Sequence, residues 1–477
     1  MKFGKISKTS LEFYTINLVF LLFYFIWSAY FWDDKSLIND FNSAIFRWVC
    51  ILFCVQITSF FIKKVTKYDF CLWFTLLSYL FMFGYLFRDY FTLQTALLWN
   101  PIVNYSQTEL FHTYIYIIGS LELFSFGYLT PYNVKQLPKL FREQNELKGI
   151  LKDHKVYTMG KILFLTGAIF TFIHDLPIIL FMRQANTYES YSSAVSSGIS
   201  GSLALFMLPG LFFLFFSGYL KERSKKILFF IVLSYLLLFM ILTGSRKIQI
   251  FSITSLILAF NASNPVSTIS IKKVIKIIML LILGFFILTL LVTIRDYRFN
   301  LDQVVNGFID NLSSFNILGI LIGEIIAETG LTGLSVASII SVVPDYLPFQ
   351  YGITFLRTIP SVLPIGWLLK DFFAQASSTY VINQYTGIPV GASMFGDLYW
   401  NFGYFGLIFS FIFGNGFYRL LNKRQDKKRD YNYCYNMALY FSLFSVLIIL
   451  VRSEFFDIFR PLTYVYFFSN ILLKFVK

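Results

Sequence analysis

Repeated apolar runs of about 20 residues leave this chain essentially one way to fold. A run of that length crosses the hydrocarbon core of a bilayer as a helix. In that medium every backbone polar group must be satisfied internally, which a helix achieves within its own segment. The runs are Leu11–Trp32, Ser43–Ile62, Tyr68–Phe87, Phe111–Thr130, Met159–Met182 and Gly201–Leu220. They continue as Ile227–Thr243, Ile248–Ala262, Val274–Ile294, Gly396–Tyr418, Tyr433–Val451 and Phe459–Phe475. The expectation is an all-α polytopic integral membrane protein with about twelve transmembrane helices. With 57% hydrophobic and 14% charged residues, a soluble globular class is excluded. Lys2, Lys5 and Lys8 have the charge pattern of a signal peptide, but no small-residue cleavage site follows, so Leu11–Trp32 is read as the first span.

Positive charge sets the orientation. Lys63-Lys64, Lys135–Lys155, Lys221–Lys226, Lys272/Lys273/Lys276 and Lys423–Arg429 all fall on one side of the predicted spans, and basic loops mark the cytoplasmic face. Both termini are then inside. On this map 23 of 26 lysines are cytoplasmic, the exceptions being Lys35, Lys247 and Lys370. Arginine sorts the other way. Nine of 14 lie outside: Arg47, Arg88, Arg183, Arg246, Arg295, Arg298, Arg357, Arg452 and Arg460. Topology requires positive charge of either kind, so an outward set of guanidiniums points to bidentate recognition of phosphate or carboxylate. The plainer reading is snorkelling side chains paired locally, as Arg295 with Asp296 or Arg460 with Asp457. The net charge of +14 belongs to short juxtamembrane loops, which anionic lipid and orientation explain without a nucleic-acid partner.

The region Arg295–Phe395 departs from the pattern. It is external on this map, far longer than a helix connection needs, and holds five of the 12 prolines. The chain therefore divides into an N-terminal transmembrane bundle (1–294), a long external region (295–395) and C-terminal transmembrane helices (396–477). Within the external region, Ile317–Val343 is apolar but interrupted by Glu324, Glu328, Gly330 and Gly333. Such residues at membrane depth are tolerated where they line a cavity, so short, re-entrant or interfacial helices are expected there.

Candidate chemistry gathers at the outward span ends. Arg246 in LTGSRKIQIF, Arg295 and Arg298 in RDYR, Arg357, and Arg452 and Arg460 in VRSEFFDIFRP suit a diphosphate headgroup. Carboxylates near that face are Glu324, Glu328, Asp345, Asp397 and Glu454. Among them Glu328, beside Gly330, and Asp397, beside Tyr399 and Asn401, are flanked by residues suited to lining a cavity. An inverting glycosyl transfer needs a base such as these to deprotonate the attacking hydroxyl. His112 and His174 are the other base candidates, though a lone intramembrane histidine is more often a hydrogen-bonded inter-helix residue. Glu122, mid-span, must be paired or protonated. Cys50, Cys54, Cys71 and Cys434 all fall in spans without CxxC spacing and read as buried thiols. No outward DxD, H-E-x-x-H or nucleotide-binding fingerprint is present, so neither a metal nor another cofactor is expected.

The segment GASMFGDLYWNFGYFGLIF (Gly391–Phe409) resembles the stretch before a late span in the O-antigen polymerase (Wzy) family. There a small-residue turn leads to an acidic residue, an aromatic and Asn-Phe-Gly. GEIIAETG (Gly323–Gly330), TFLRTIPSVLP (Thr354–Pro364) and the LTGSRKIQI turn are similar to that family's loop region and its arginine-bearing hairpin. The resemblance implies a metal-independent glycosyltransferase that polymerises undecaprenyl-diphosphate-linked oligosaccharide repeat units, with Glu328 and Asp397, each in a resembling segment, as the expected catalytic carboxylates and Tyr399 in the substrate site. The enzyme would act on the outer face of the bacterial inner membrane, making O-antigen or capsule-type polysaccharide, with a chain-length regulator and a flippase as partners. Two other readings stay open: a flippase or exporter of lipid-linked oligosaccharide, and an O-antigen ligase. A flippase predicts internal repeats and a charged central cavity, for which Glu122 is the main support. A ligase would carry a very similar sequence signature.

Overall fold

In the computed structural model the described residues are 8–32, 40–93, 104–132, 152–184, 198–243, 247–264, 317–363, 369–387, 391–422 and 433–475. The side chains of 8, 182–184, 247, 317–321, 324, 328 and 370 lie outside that description. The described residues are all-helical. In chain order they form α1 (Lys8–Tyr30), α2 (Phe41–Ile62), α3 (Phe70–Tyr90), α4 (Gln107–Leu129), α5 (His154–Gln184), α6 (Ile199–Ala204), α7 (Met207–Phe216), α8 (Glu222–Thr243) and α9 (Lys247–Ser263). There follow α10 (Ile317–Val342), α11 (Ile353–Thr358), α12 (Lys370–Ala374), α13 (Ser378–Thr386), α14 (Met394–Phe402), α15 (Gly406–Asn422), α16 (Tyr433–Leu447) and α17 (Phe455–Phe475). Nine helical stretches among the described residues are long and apolar enough to cross a bilayer, so the protein is a multi-pass membrane protein. Each expected run has a helical counterpart except Val274–Ile294, which lies outside the described residues.

Two glycine seams hold the centre together. Gly84 of α3 faces the backbone of α10 at Ile326 and Gly330, while Gly333 faces the Met82 carbonyl one turn away. The pairing (84 with 330, 82 with 333) makes α3 and α10 antiparallel. A second seam joins α4 to α15, where Gly127 lies on the Phe411 carbonyl and Gly414 on the Phe124 carbonyl. Water supplies no hydrophobic drive between helices in lipid, so close backbone approach at small residues carries the association. This corrects the expectation for Ile317–Val343. Gly330 and Gly333 do not interrupt the helix; they are its contact surface, and α10 runs unbroken over 26 residues.

Around these seams Tyr433–Val451, which contains α16, is the most enclosed of the candidate membrane spans, and its Tyr440 hydroxyl accepts from the Phe70 N–H (2.9 Å) at the start of α3. At the periphery α1, α2, α5 and α8 turn Leu18, Phe61, Phe172 and Ile231 outward, as lipid-facing helices do. Cys50 and Cys54 belong to this outer face of α2, so they are not the buried thiols expected; Cys71 and Cys434 are buried. Between α1 and α4 runs a polar ladder: Asn17 donates to Ser59 (2.9 Å), Gln56 to Ser125 (3.0 Å) and Tyr79 to Gln56 (2.8 Å). Glu122 is buried beside Gln56 and Ser125, a single acid among neutral neighbours.

Candidate active site

The site grows from α14. Ser393 caps this helix by accepting from the Gly396 N–H (3.1 Å), which places Asp397 in the first turn. Gly396 leaves room for Ile339 of α10 to press against the backbone, and that contact fixes the helix axis. At the other end Gly403 (φ +56°) breaks the expected span Gly396–Tyr418 into α14 and α15, a conformation that glycine adopts at little cost. Asn401 joins the preceding loop to this helix. Its Oδ1 accepts from Gly352 N–H (3.0 Å) and from the Thr354 hydroxyl (2.9 Å), and its Nδ2 donates to the Asp397 carbonyl (2.8 Å). Asn401→Ala leaves buried partners unsatisfied, at a cost of about 1–3 kcal/mol. The expected result is faster protease cleavage around Gln350 in the folded protein; an unchanged cleavage rate would contradict this role.

Asp397 and Glu454 meet at the junction of three elements. Asp397 Oδ2 accepts from the Phe455 N–H (2.7 Å), the first residue of α17. Glu454, immediately before it, accepts from the hydroxyls of Ser377 (2.6 Å) and Ser378 (2.8 Å) and from the Thr379 N–H (3.1 Å) at the start of α13. Each carboxylate therefore sits at the N-terminus of a helix other than its own, where unpaired N–H groups and the helix dipole favour an anion. Asp397 is 5% exposed and Glu454 4%. The charge of Glu454 and, to a lesser extent, that of Asp457 bear on Asp397, so two buried carboxyl groups lie close together.

The predicted arginines divide. The Arg452 guanidinium lies over the Phe81 ring of α3, 5.7 Å from its centroid, two residues from Glu454 in the chain. Arg357 Nη1 on α11 donates to the Gln375 carbonyl at the end of α12 (3.3 Å), tying two short helices together, and Arg460 Nε of α17 donates to the Ser361 carbonyl. Arg246, Arg295 and Arg298 lie outside the described residues, as does the Glu328 side chain. Tyr399 is buried on the side of α14 away from Asp397, edge-on to Tyr116 (5.0 Å) and Tyr404 (5.6 Å). The candidate site is therefore the Asp397–Glu454 pair, with Arg452 two residues from Glu454 in the chain.

One member was missing from the expected set. Glu454 stood among the carboxylates of the outer face without a role, because nothing local ties it to Asp397. Arg88 is buried near the C-terminal end of α3, over the Tyr85 ring (4.5 Å) and on Asp89 Oδ1 through Nε (2.8 Å) and Nη2 (2.6 Å). Phe81 and Tyr85 are one helical turn apart, so Arg452 and Arg88 rest on successive rings of one α3 face. His174 bonds Asp175 (2.7 Å), which Tyr235 of α8 also meets, an inter-helix arrangement remote in sequence from the carboxyl pair. No group of three or more His, Cys, Asp or Glu side chains suited to a metal occurs among the described residues. The model of one protein family, described as O-antigen polysaccharide polymerase Wzy, matches residues 13–477. No curated protein and no solved structure matches the chain.

Proposed function

Because the chain belongs to the O-antigen polysaccharide polymerase Wzy family over nearly its whole length, we propose that it joins lipid-diphosphate-linked repeat units at the Asp397–Glu454 site. The observation that carries this reading is the pairing of two buried carboxyl groups from segments far apart in sequence, with Arg452 two residues from Glu454 in the chain. Phe81, under Arg452, is nine residues short of the outer end of α3, which recesses the site by roughly 14 Å from that end.

In the proposed reaction a hydroxyl of the acceptor unit attacks the anomeric carbon of the growing glycan. The new C–O bond forms as the bond from that carbon to the diphosphate oxygen breaks, and the lipid diphosphate leaves with the electron pair. Asp397 takes the hydroxyl proton as general base. Glu454 positions it: the N–H that holds Asp397 belongs to the next residue in the chain, and Ser378 touches both acids. Arg452 stabilises charge developing on the leaving diphosphate, with Arg246, Arg295 and Arg298 as further diphosphate ligands and Glu328 as the alternative base. The proposed location is the outer face of the bacterial inner membrane.

Gene deletion followed by gel analysis of the surface glycan tests the class of reaction. One capped repeat unit is expected. Complete loss of repeat units would indicate a flippase, and unattached long chains a ligase. In the complemented strain Arg452→Lys is expected to lose as much polymer as Arg452→Ala, since an ammonium lacks the planar fork that meets a diphosphate. Full polymer from the lysine variant would show that charge alone suffices.

A further inference from the structure

We propose that Trp32, His112 and Tyr404 form a sugar-binding subsite for a part of the repeat unit remote from the bond being made. The inference rests on the polymerase reading for its class of ligand, and its residues are separate from those assigned to the reaction.

The three side chains come from three places: the end of α1, the first turns of α4, and the Gly403–Phe405 link between α14 and α15. His112 Nδ1 and the Tyr404 hydroxyl are hydrogen-bonded at 2.8 Å. The Trp32 indole stands edge-on to both, with ring centroids 4.5 Å from His112 and 5.1 Å from Tyr404. Behind them Tyr116 and Tyr399 close the floor, at 6.0 and 5.6 Å from the Tyr404 ring. Trp32 remains 36% exposed, whereas Tyr116 and Tyr399 are buried.

This combination fits a pyranose. A sugar ring carries an apolar C–H face, which meets the electron-rich face of an indole, and a rim of hydroxyls, which an imidazole–phenol pair can bond as donor and acceptor. Tryptophan and tyrosine also gather where a bilayer meets water. An interfacial anchor of that kind needs only its own ring and a polar tip. Here a half-buried imidazole–phenol pair packs against the indole, and the three side chains come from three separate elements, which is the construction of a site.

Geometry excludes the transferred sugar as occupant. Asp397 and Tyr399 are two residues apart on α14, and two residues turn a helix by about 200°, so their side chains leave opposite faces. A ligand engaging both the carboxyl pair and the Tyr399–Tyr404 side must span a helix, roughly 10 Å across. A sugar further along the repeat unit meets that requirement. Binding energy from such a remote group sets which repeat unit is accepted and holds it while the distant bond forms.

The probe is one repeat-unit oligosaccharide with a free reducing end, without lipid or diphosphate, added to the purified full chain in nanodiscs. Saturation-transfer NMR is expected to show saturable binding to the wild type, at least tenfold weaker in Trp32→Ala and several-fold weaker in Tyr404→Phe. Asp397→Asn should bind as the wild type does. With the lipid-linked unit as substrate, Trp32→Ala and Tyr404→Phe are expected to raise KM about tenfold and several-fold, with kcat within twofold. Tyr404→Phe keeps the ring and its packing, so it remains informative should Trp32→Ala fail to fold. Wild-type binding in both variants overturns the proposal, as does a fall in kcat at constant KM. Reduced membrane abundance of Trp32→Ala, with Tyr404→Phe binding normally, would instead mark Trp32 as an interfacial anchor and also overturns it. Saturable, Trp32-dependent binding by a protein that makes no polymer would leave this subsite standing while the polymerase reading falls.

Discussion

Replacing Asp397 by asparagine is expected to reduce surface polymer to near one repeat unit while the amount of protein in the membrane stays unchanged. The asparagine carbonyl can still accept from the Phe455 N–H, so the junction between α14 and α17 keeps its hydrogen bond. What is lost is the acceptor for the hydroxyl proton, and a general base contributes roughly 10²–10⁴-fold in rate. Glu454→Gln is expected to behave differently. Glu454 accepts three hydrogen bonds, and the amide nitrogen would turn a donor toward Ser378 or Ser377. Loosening of α13 is then expected together with reduced polymer. Chain length and abundance must be read on the same membranes. Wild-type chain lengths from Asp397→Asn would remove it as the base and bring Glu328, His112 and His174 forward.

The largest effect on stability is expected at the α4–α15 seam. A side chain at Gly127 or Gly414 would enter the backbone of the facing helix at Phe411 or Phe124. Neither carbonyl can move without shifting a whole helix, so Gly127→Leu and Gly414→Leu are expected to cost about 3 kcal/mol or more. The readout is the folded, monodisperse fraction recovered after detergent extraction, followed by thermal denaturation. Gly416 supplies the control. It lies two residues from Gly414, is exposed, and has open space where a side chain would go. Gly416→Leu should leave the protein unchanged, and equal damage from all three substitutions would contradict the seam.

The helices were legible because lipid leaves the backbone few alternatives, so an apolar run of sufficient length already implies its own hydrogen bonding. The kinks and contacts were not. Gly403 looked like any glycine within an apolar run until its backbone conformation separated α14 from α15. Gly330 and Gly333 carried the same ambiguity: a glycine at membrane depth lines a cavity or seats another helix, and only the partner, here Gly84 and Met82, decides which. Asp397 could be singled out from GASMFGDLYWNFG, since its neighbours form a recognisable segment. Glu454 could not be paired with it, because the link is a hydrogen bond to the backbone of Phe455, and main-chain contacts across the fold leave no residue pattern behind. The arginines expected on the outer face share no role: Arg452 lies over the Phe81 ring, whereas Arg357 and Arg460 hold the Gln375 and Ser361 carbonyls.

The account is tested most directly by reconstitution. The purified chain and its Asp397→Asn variant, each in liposomes, would be given a lipid-diphosphate-linked repeat unit with chelator present and no nucleotide sugar. The products would be separated by size. A ladder of multiples of the repeat unit is expected from the wild type, with lipid diphosphate released once per bond formed, and a rate lower by about two orders of magnitude or more from the variant. A wild-type protein that releases no lipid diphosphate, or a variant that builds the ladder at the same rate, would contradict it.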